Sequence, residues 1–343
     1  MKFVIDSAIP FINGVFEPYA DILYKEGALI EREDIIDADA LIIRTRTRCN
    51  SSFLEDTSVK IIATATIGTD HIDTEWCKEH GIFFQNASGC NSGGVMNYVF
   101  SALYGAASRE RIPLSGATMG ILGVGNAGSR VENMARHLGF KVLLYDPPRA
   151  EEEGPAQFTD LDTLLRNSDV VSMHLPLNPV TRHLADAGFF QKMKFGAVFI
   201  NTSHGELVDE DALLDAIPKL GPVIIDTWHN EPDVNRDLVK KVSIATPHIA
   251  GYSYQGKQRS TAAVVRSVAR FFKIEPLYEF FPPAEIKELE AVKLNLSGLP
   301  QGQITSVFQY NYPVFTDDFM FRVAPEKFDE LRKNYRYRRE FFI

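Results

Sequence analysis

A chain of 343 residues is longer than one ordinary domain and predicts two or three, and its 45% apolar content with 24 phenylalanines can fill sizeable cores. A net charge of −9 without a long basic run argues against nucleic acid as a partner, and no apolar run approaches the roughly 18 residues of a bilayer span. Cys49, Cys77 and Cys90 show neither a disulfide framework nor a metal-ligand spacing, and the opening MKFVIDSAIPF is no signal peptide pattern; a soluble, cytoplasmic protein without membrane partner or metal is expected.

The first hundred residues alternate in the manner of an α/β domain. FVI (3–5), ALIIR (40–44), KIIATA (60–65) and IFFQNA (82–87) read as short buried strands with helical stretches between them. Arg44, Arg46 and Arg48 alternate, so in an extended segment they share one face, as a rim for an anionic group or as a solvated strand edge. A long apolar helix over 92–109 then leads to a second alternating unit. Its strands are ATMGILG, KVLLYD, VVSMHL, AVFINT, PVIIDTW and VSIATP, and its helices fall at 128–138, 160–167 and 209–217. An amphipathic helix over 255–273 returns the chain to the first unit. Beyond 275 prolines and aromatics cluster, and PEKFDELRKNYRYRREFF (325–342) reads as a mixed-charge helix in a small accessory domain.

One stretch carries a ligand signature. The apolar run Met119 to Val124 ends in Gly123-Val-Gly125-Asn126-Ala127-Gly128, followed by a helix and a second strand closed by Asp146. Gly123 permits the tight turn, Gly125 lets a pyrophosphate approach the backbone, and Gly128 lets the helix pack against the strand, its N-terminal N–H groups facing the phosphates. Asp146 stands where a carboxylate accepts both adenosine ribose hydroxyls and repels a 2′-phosphate, which favours NAD over NADP. Three later segments also end strands: NTSHGELVDE, DTWHNEP and TPHIAG. Hydride removal from a secondary alcohol needs a base for the hydroxyl proton, and His248 with Glu231 beside it fits that role.

With ATIGTDHID (65–73), GILGVGNAG (120–128), HLPLNPVTRHL (174–184) and the three segments above, the chain resembles the D-isomer-specific 2-hydroxyacid dehydrogenase family. MKFVIDSAIPF, LIIRTRTRCN, ASGCNSGGVMNYVFSAL, YDPPRA and FDELRKNYRYRREF point to a branch with an added C-terminal dimerisation region. The resemblance implies an α/β fold of two Rossmann-like doubly wound domains plus a small C-terminal α+β dimerisation domain. The implied limits are 1–92 with 257–275 for a flavodoxin-like substrate domain, 93–256 for the NAD domain and 276–343 for the dimerisation domain. It implies a homodimer that oxidises a phosphorylated four-carbon 2-hydroxy acid at C2, on the way to pyridoxal phosphate. His248 is then the acid/base and Glu231 its partner. Leu175, Thr202, Ser203 and Gly251 line the cofactor, Asp226 lies on its nicotinamide side, and Thr45, Thr66 and Tyr252 contact substrate. Where the family motif has an arginine that grips the substrate carboxylate, this chain has His204, which is shorter and only partly charged at neutral pH. Two other readings stay open: a dehydrogenase for another 2-hydroxy acid, and an NAD-binding protein with impaired catalysis.

Overall fold

Runs of aliphatic residues buried on both faces make the strands of two parallel sheets. The computed structural model describes residues 1–343, which divide into one unit of Met1–Asn91 with Tyr254–Leu289 and a second of Ser92–Ser253 with Glu290–Ile343.

In the first unit the strands are β1 (Lys2–Asp6), β2 (Asp21–Lys25), β3 (Ala40–Ile43), β4 (Ile61–Thr64) and β5 (Phe83–Asn86), all parallel, in the order β2-β1-β3-β4-β5. This is the flavodoxin-like order that the resemblance implies. Phe3 and Ile5 of β1 point to one face, where Val264, Val265 and Val268 of helix Tyr254–Phe272 cover them, while Val4 packs with Leu41 and Ile62 on the other. Strand β2 has no sequence signal because DILYK is a half-buried edge strand without a continuous apolar run. The arginine triple needs a correction. β3 ends at Ile43 and residues 45–47 form a turn, with Thr47 buried and its hydroxyl donating to Gly27 O at 2.8 Å, so the arginines do not share a strand face.

The second unit holds β6 (Thr118–Leu122), β7 (Lys141–Tyr145), β8 (Val170–Met173), β9 (Val198–Asn201), β10 (Val223–Ile225) and β11 (Ile244–Ala245), parallel in the order β11-β10-β9-β8-β6-β7. The strand order reverses beside β6, so the glycine turn that follows β6 sits at the switch point where such sheets bind ligands. Helix Ser92–Glu110 is buried along nearly its whole length against one face of this sheet.

Residues 290–343 are not a third compact unit, contrary to the expected separate domain. Their aromatics complete the cores of the second unit: Phe308, Tyr312 and Phe341 join one face, Phe321 and Phe328 the other. Helix Val314–Val323 also covers the sheet edge, where Asp318 accepts from Ala245 N at 2.7 Å and Arg322 donates to Val242 O at 2.8 Å. Residues 276–289, expected with the tail, belong to the first unit. The expected long terminal helix shrinks to Phe328–Lys333. Asn97 explains why: its side chain donates to Phe341 O at 2.8 Å and accepts from Phe341 N at 3.0 Å, holding the tail extended as β13 (Phe341–Phe342) beside β12 (Val292–Lys293).

Candidate active site

The glycine turn is shaped for a cofactor by what it excludes and what it leaves open. A Cβ on Gly123, whose φ is +84°, would lie 2.5 Å from His174 O, and one on Gly128 would lie 1.9 Å from Gly123 O. Over Gly125 a Cβ would meet nothing within 4 Å. Strand and helix are therefore locked together at the first and third glycines, while the second leaves space for a pyrophosphate against helix Asn126–His137. Asp146 accepts from Val124 N at 2.7 Å and Arg149 N at 3.2 Å, which fixes its carboxylate beside the turn. Arg149, in the YDPPRA stretch, donates to Val124 O at 2.7 Å and forks onto Glu153 at 2.6 and 2.8 Å. Leu175 is buried at the end of β8, and Ser203 donates to Met173 O at 2.7 Å. The buried Thr202 hydroxyl has no partner within the protein, and neither has Thr227's, so both fit a ligand that brings polar atoms.

Asp226 has work inside the protein. Fully buried at the end of β10, it accepts at Oδ1 from the Thr246 hydroxyl (2.6 Å) and Ile249 N (2.9 Å), and at Oδ2 from Ala250 N (2.9 Å). Burial pushes its carboxyl up, against the pull of nearby His248 and of these donors. Tyr98 OH lies 2.6 Å from Thr246 Oγ1, and Trp228 Nε1 donates to Thr246 O at 2.8 Å. Together these groups clamp the loop after β11, in which His248 adopts a left-handed φ of +56° and its N–H donates to Asp226 O at 2.7 Å. A histidine held in that sparsely populated conformation is fixed by its surroundings.

The structure brings His248 and Glu231 into contact. His248 Nδ1 lies 2.7 Å from Glu231 Oε2, and Glu231 Oε1 accepts from Trp228 N at 2.9 Å. Burial raises the Glu231 carboxyl, but His248 beside it, the Trp228 N–H and the Arg332 guanidinium outweigh that and hold it below the usual carboxylate range. An ionised Glu231 accepts a hydrogen bond from Nδ1–H, which keeps that proton on Nδ1 and leaves Nε2 to exchange a proton with a ligand. His204 reaches the same neighbourhood through its chain neighbour. A Cβ on Gly205 would fall 1.9 Å from Trp228 C, so only glycine lets the loop after β9 lie against the loop that carries Glu231. Asn201 Nδ2 donates to His204 O at 2.9 Å and braces that loop. His174, by contrast, is half-buried, and desolvation drives its pKa down to about 4, with Ser172 Oγ 2.9 Å from its Nε2.

Thr45 and Thr66 lie in the first unit, just past the C-terminal ends of the adjacent strands β3 and β4. Thr45 is exposed, and Thr66 Oγ1 lies 2.7 Å from Thr64 Oγ1. Tyr252 and Gly251 follow His248 in the second unit, the Tyr252 ring centroid 6.1 Å from that of Tyr335.

A model of the D-isomer specific 2-hydroxyacid dehydrogenase NAD-binding domain matches residues 102–250. The chain is 44% identical over 347 residues to an erythronate-4-phosphate dehydrogenase of Bacteroides thetaiotaomicron, covering 99% of this chain and 97% of that one. The chain belongs to the erythronate-4-phosphate dehydrogenase family. A Yersinia pestis member of the family is 38% identical over 349 residues, with 99% and 93% covered. Among solved structures, NAD+-bound 3-phosphoglycerate dehydrogenase of Entamoeba histolytica aligns at a TM-score of 0.66 and 26% identity over 83% of this chain and 99% of that one. D-lactate dehydrogenase of Aquifex aeolicus, complexed with NAD and lactic acid, shares the fold at a TM-score of 0.65 and 24% identity, covering 83% and 100%. The chain is thus an NAD-dependent oxidoreductase acting on a CH–OH group. No helix is long and apolar enough to cross a membrane.

Proposed function

We propose that the protein oxidises 4-phospho-D-erythronate at C2 with NAD, giving 2-oxo-3-hydroxy-4-phosphobutanoate in the biosynthesis of pyridoxal 5′-phosphate, in the cytoplasm. The observation that carries this reading is the 2.7 Å contact of His248 Nδ1 with Glu231 at the strand ends of an NAD-binding sheet. NAD, when bound, accepts the hydride from C2. His248 Nε2 takes the C2 hydroxyl proton as the hydride leaves, and the Glu231 carboxylate stabilises the imidazolium that results. Gly123, Gly125, Asn126, Ala127 and Gly128 hold the pyrophosphate, Asp146 the adenosine ribose, and Leu175, Thr202, Ser203, Asp226 and Gly251 the nicotinamide half. Thr45, Thr66 and Tyr252 contact the substrate, and His204 takes the place of the carboxylate-gripping arginine. The product decides between outcomes. Protein, NAD and 4-phosphoerythronate incubated with a carbonyl trap should yield a trapped 2-oxo acid that has lost the two hydrogens of its C2 alcohol. A product oxidised at C3, or none, rejects the reading.

The cofactor assignment has its own check. Asp146→Ala should raise the KM for NAD about tenfold or more, since charge-assisted hydrogen bonds contribute about 1.5–3 kcal/mol, while kcat changes little. It should also cost about 1 kcal/mol of stability, because Asp146 caps helix Pro147–Glu153. An unchanged KM places the ribose elsewhere.

A homodimer through the C-terminal region is part of the same proposal. Helix Val314–Val323 exposes Phe319 (63%), Met320 (49%) and Val323 (65%), a cluster of apolar groups suited to a second copy of the same face. Light scattering should give a dimeric mass for the native chain and a monomeric mass for Phe319→Glu/Val323→Glu. A monomeric native chain refutes this assignment.

A further inference from the structure

Helix Phe328–Lys333 puts a guanidinium beside the dyad. Arg332 Nη1 lies 3.9 Å from Glu231 Oε2, the oxygen that also meets His248 Nδ1 at 2.7 Å. Arg332 Nε is buried without a hydrogen-bond partner. Its Cζ stands 5.7 Å from the Tyr252 ring centroid and 5.5 Å from that of Phe328, so two aromatic faces hold the side chain on the flank of the carboxylate. At that separation Arg332 acts on Glu231 through its charge rather than through a fork of hydrogen bonds.

We infer that Arg332 is a positioning residue for proton transfer: its fixed charge keeps Glu231 ionised against His248 and loosens the hold of the dyad on a proton. Glu231 faces two charged groups, His248 and Arg332, and His248 faces Glu231 and the buried Asp226. Two carboxylates around one imidazole would favour the imidazolium, leaving less neutral ring to accept the substrate's proton and slowing its later release. A cation on the far side of Glu231 offsets one of them, and it comes from the C-terminal tail rather than from the strand ends that carry the other catalytic groups. The inference rests on the dehydrogenase reading, in which His248 must be neutral to accept the hydroxyl proton.

The experiment compares Arg332→Gln and Arg332→Lys with the native chain by two readouts. One is the pH profile of kcat/KM for NADH formation from 4-phosphoerythronate; the other is an NMR titration of the His248 imidazole in the protein with NAD and no substrate. In Arg332→Gln both the acidic limb and the imidazole midpoint should move up by about one pH unit, a roughly tenfold loss of rate on the acid side. Arg332→Lys, which keeps the charge, should stay close to native. An imidazole midpoint that does not move in Arg332→Gln, or one that moves equally in Arg332→Lys, overturns the inference and leaves Arg332 a packing residue for Tyr252 and Phe328. A midpoint that moves as expected while no form turns over 4-phosphoerythronate upholds the charge coupling and rejects that substrate instead.

Discussion

Replacing His248 with glutamine lowers kcat/KM for NADH formation by about 10³–10⁴ and leaves the affinity for NAD nearly unchanged. A positioned general base contributes roughly 10²–10⁴, and glutamine offers no basic nitrogen in its place, which puts the loss at the upper end. The selectivity follows from the geometry. The groups proposed to hold the cofactor phosphates and ribose stand after β6 and β7, whereas His248 stands after β11. Its backbone position is fixed by Asp226 O and by the hydrogen bonds that Asp226 accepts from Ile249 N and Ala250 N, none of which involves the imidazole. Glu231→Gln should lose less, about 10², because the amide oxygen still accepts from Nδ1 while the charge that stabilises the imidazolium is gone. Steady-state rates with a direct NAD binding titration on the same samples decide the matter. A His248→Gln protein that keeps a tenth or more of native activity would move the base elsewhere.

Exchanging His204 for arginine raises kcat/KM by about 10²–10³. A guanidinium grips a carboxylate with two parallel charged hydrogen bonds, and one such contact tightened in the transition state contributes about 3–4 kcal/mol. The loop that carries the residue is rigid: Asn201 braces His204 O, and Gly205 lies hard against the backbone of Trp228. A longer side chain at this position therefore gains reach without loosening its base. The pH profile supplies a second signature. If the native chain grips substrate with a protonated His204, its activity falls at high pH as that proton is lost and at low pH as His248 gains one. The arginine variant then loses the alkaline limb and keeps only the acidic one. An arginine variant no faster than the native chain, with the same profile, would show that His204 is fully competent as it stands.

Much of this site was legible because its residues carry local signals. The glycines after β6 mark a turn that the steric contacts of Gly123 and Gly128 require, and Asp146 ends the next strand where the spacing placed it. His248 and Glu231 stood out as a histidine and a carboxylate in the loops after two strands, and the structure puts them 2.7 Å apart. What stayed hidden depends on distant partners. Arg332 reaches Glu231 from far along the chain, and nothing in FDELRK announces a carboxylate neighbour. Tyr98 lies in an apolar helix, and its contact with Thr246 spans 148 positions. The tail follows the same rule. Its charge pattern suits a helix, but Asn97 claims the N–H and C=O of Phe341 and holds it extended. The family resemblance places Asp226 on the nicotinamide side; its oxygens also serve the loop that presents His248, a duty no local pattern reveals.

In the proposed reaction His248 and Glu231 handle the proton while a phosphorylated acid is oxidised with NAD. Initial rates of NADH formation with 4-phosphoerythronate and with erythronate at equal concentration test it most directly. Brisk, His248-dependent turnover of the phosphorylated acid is expected, with a kcat/KM at least about 10²-fold lower without the phosphate, since buried or clamped charged contacts contribute about 1.5–3 kcal/mol each. Equal rates with the two acids, or no NADH from either while NAD binds, would contradict it.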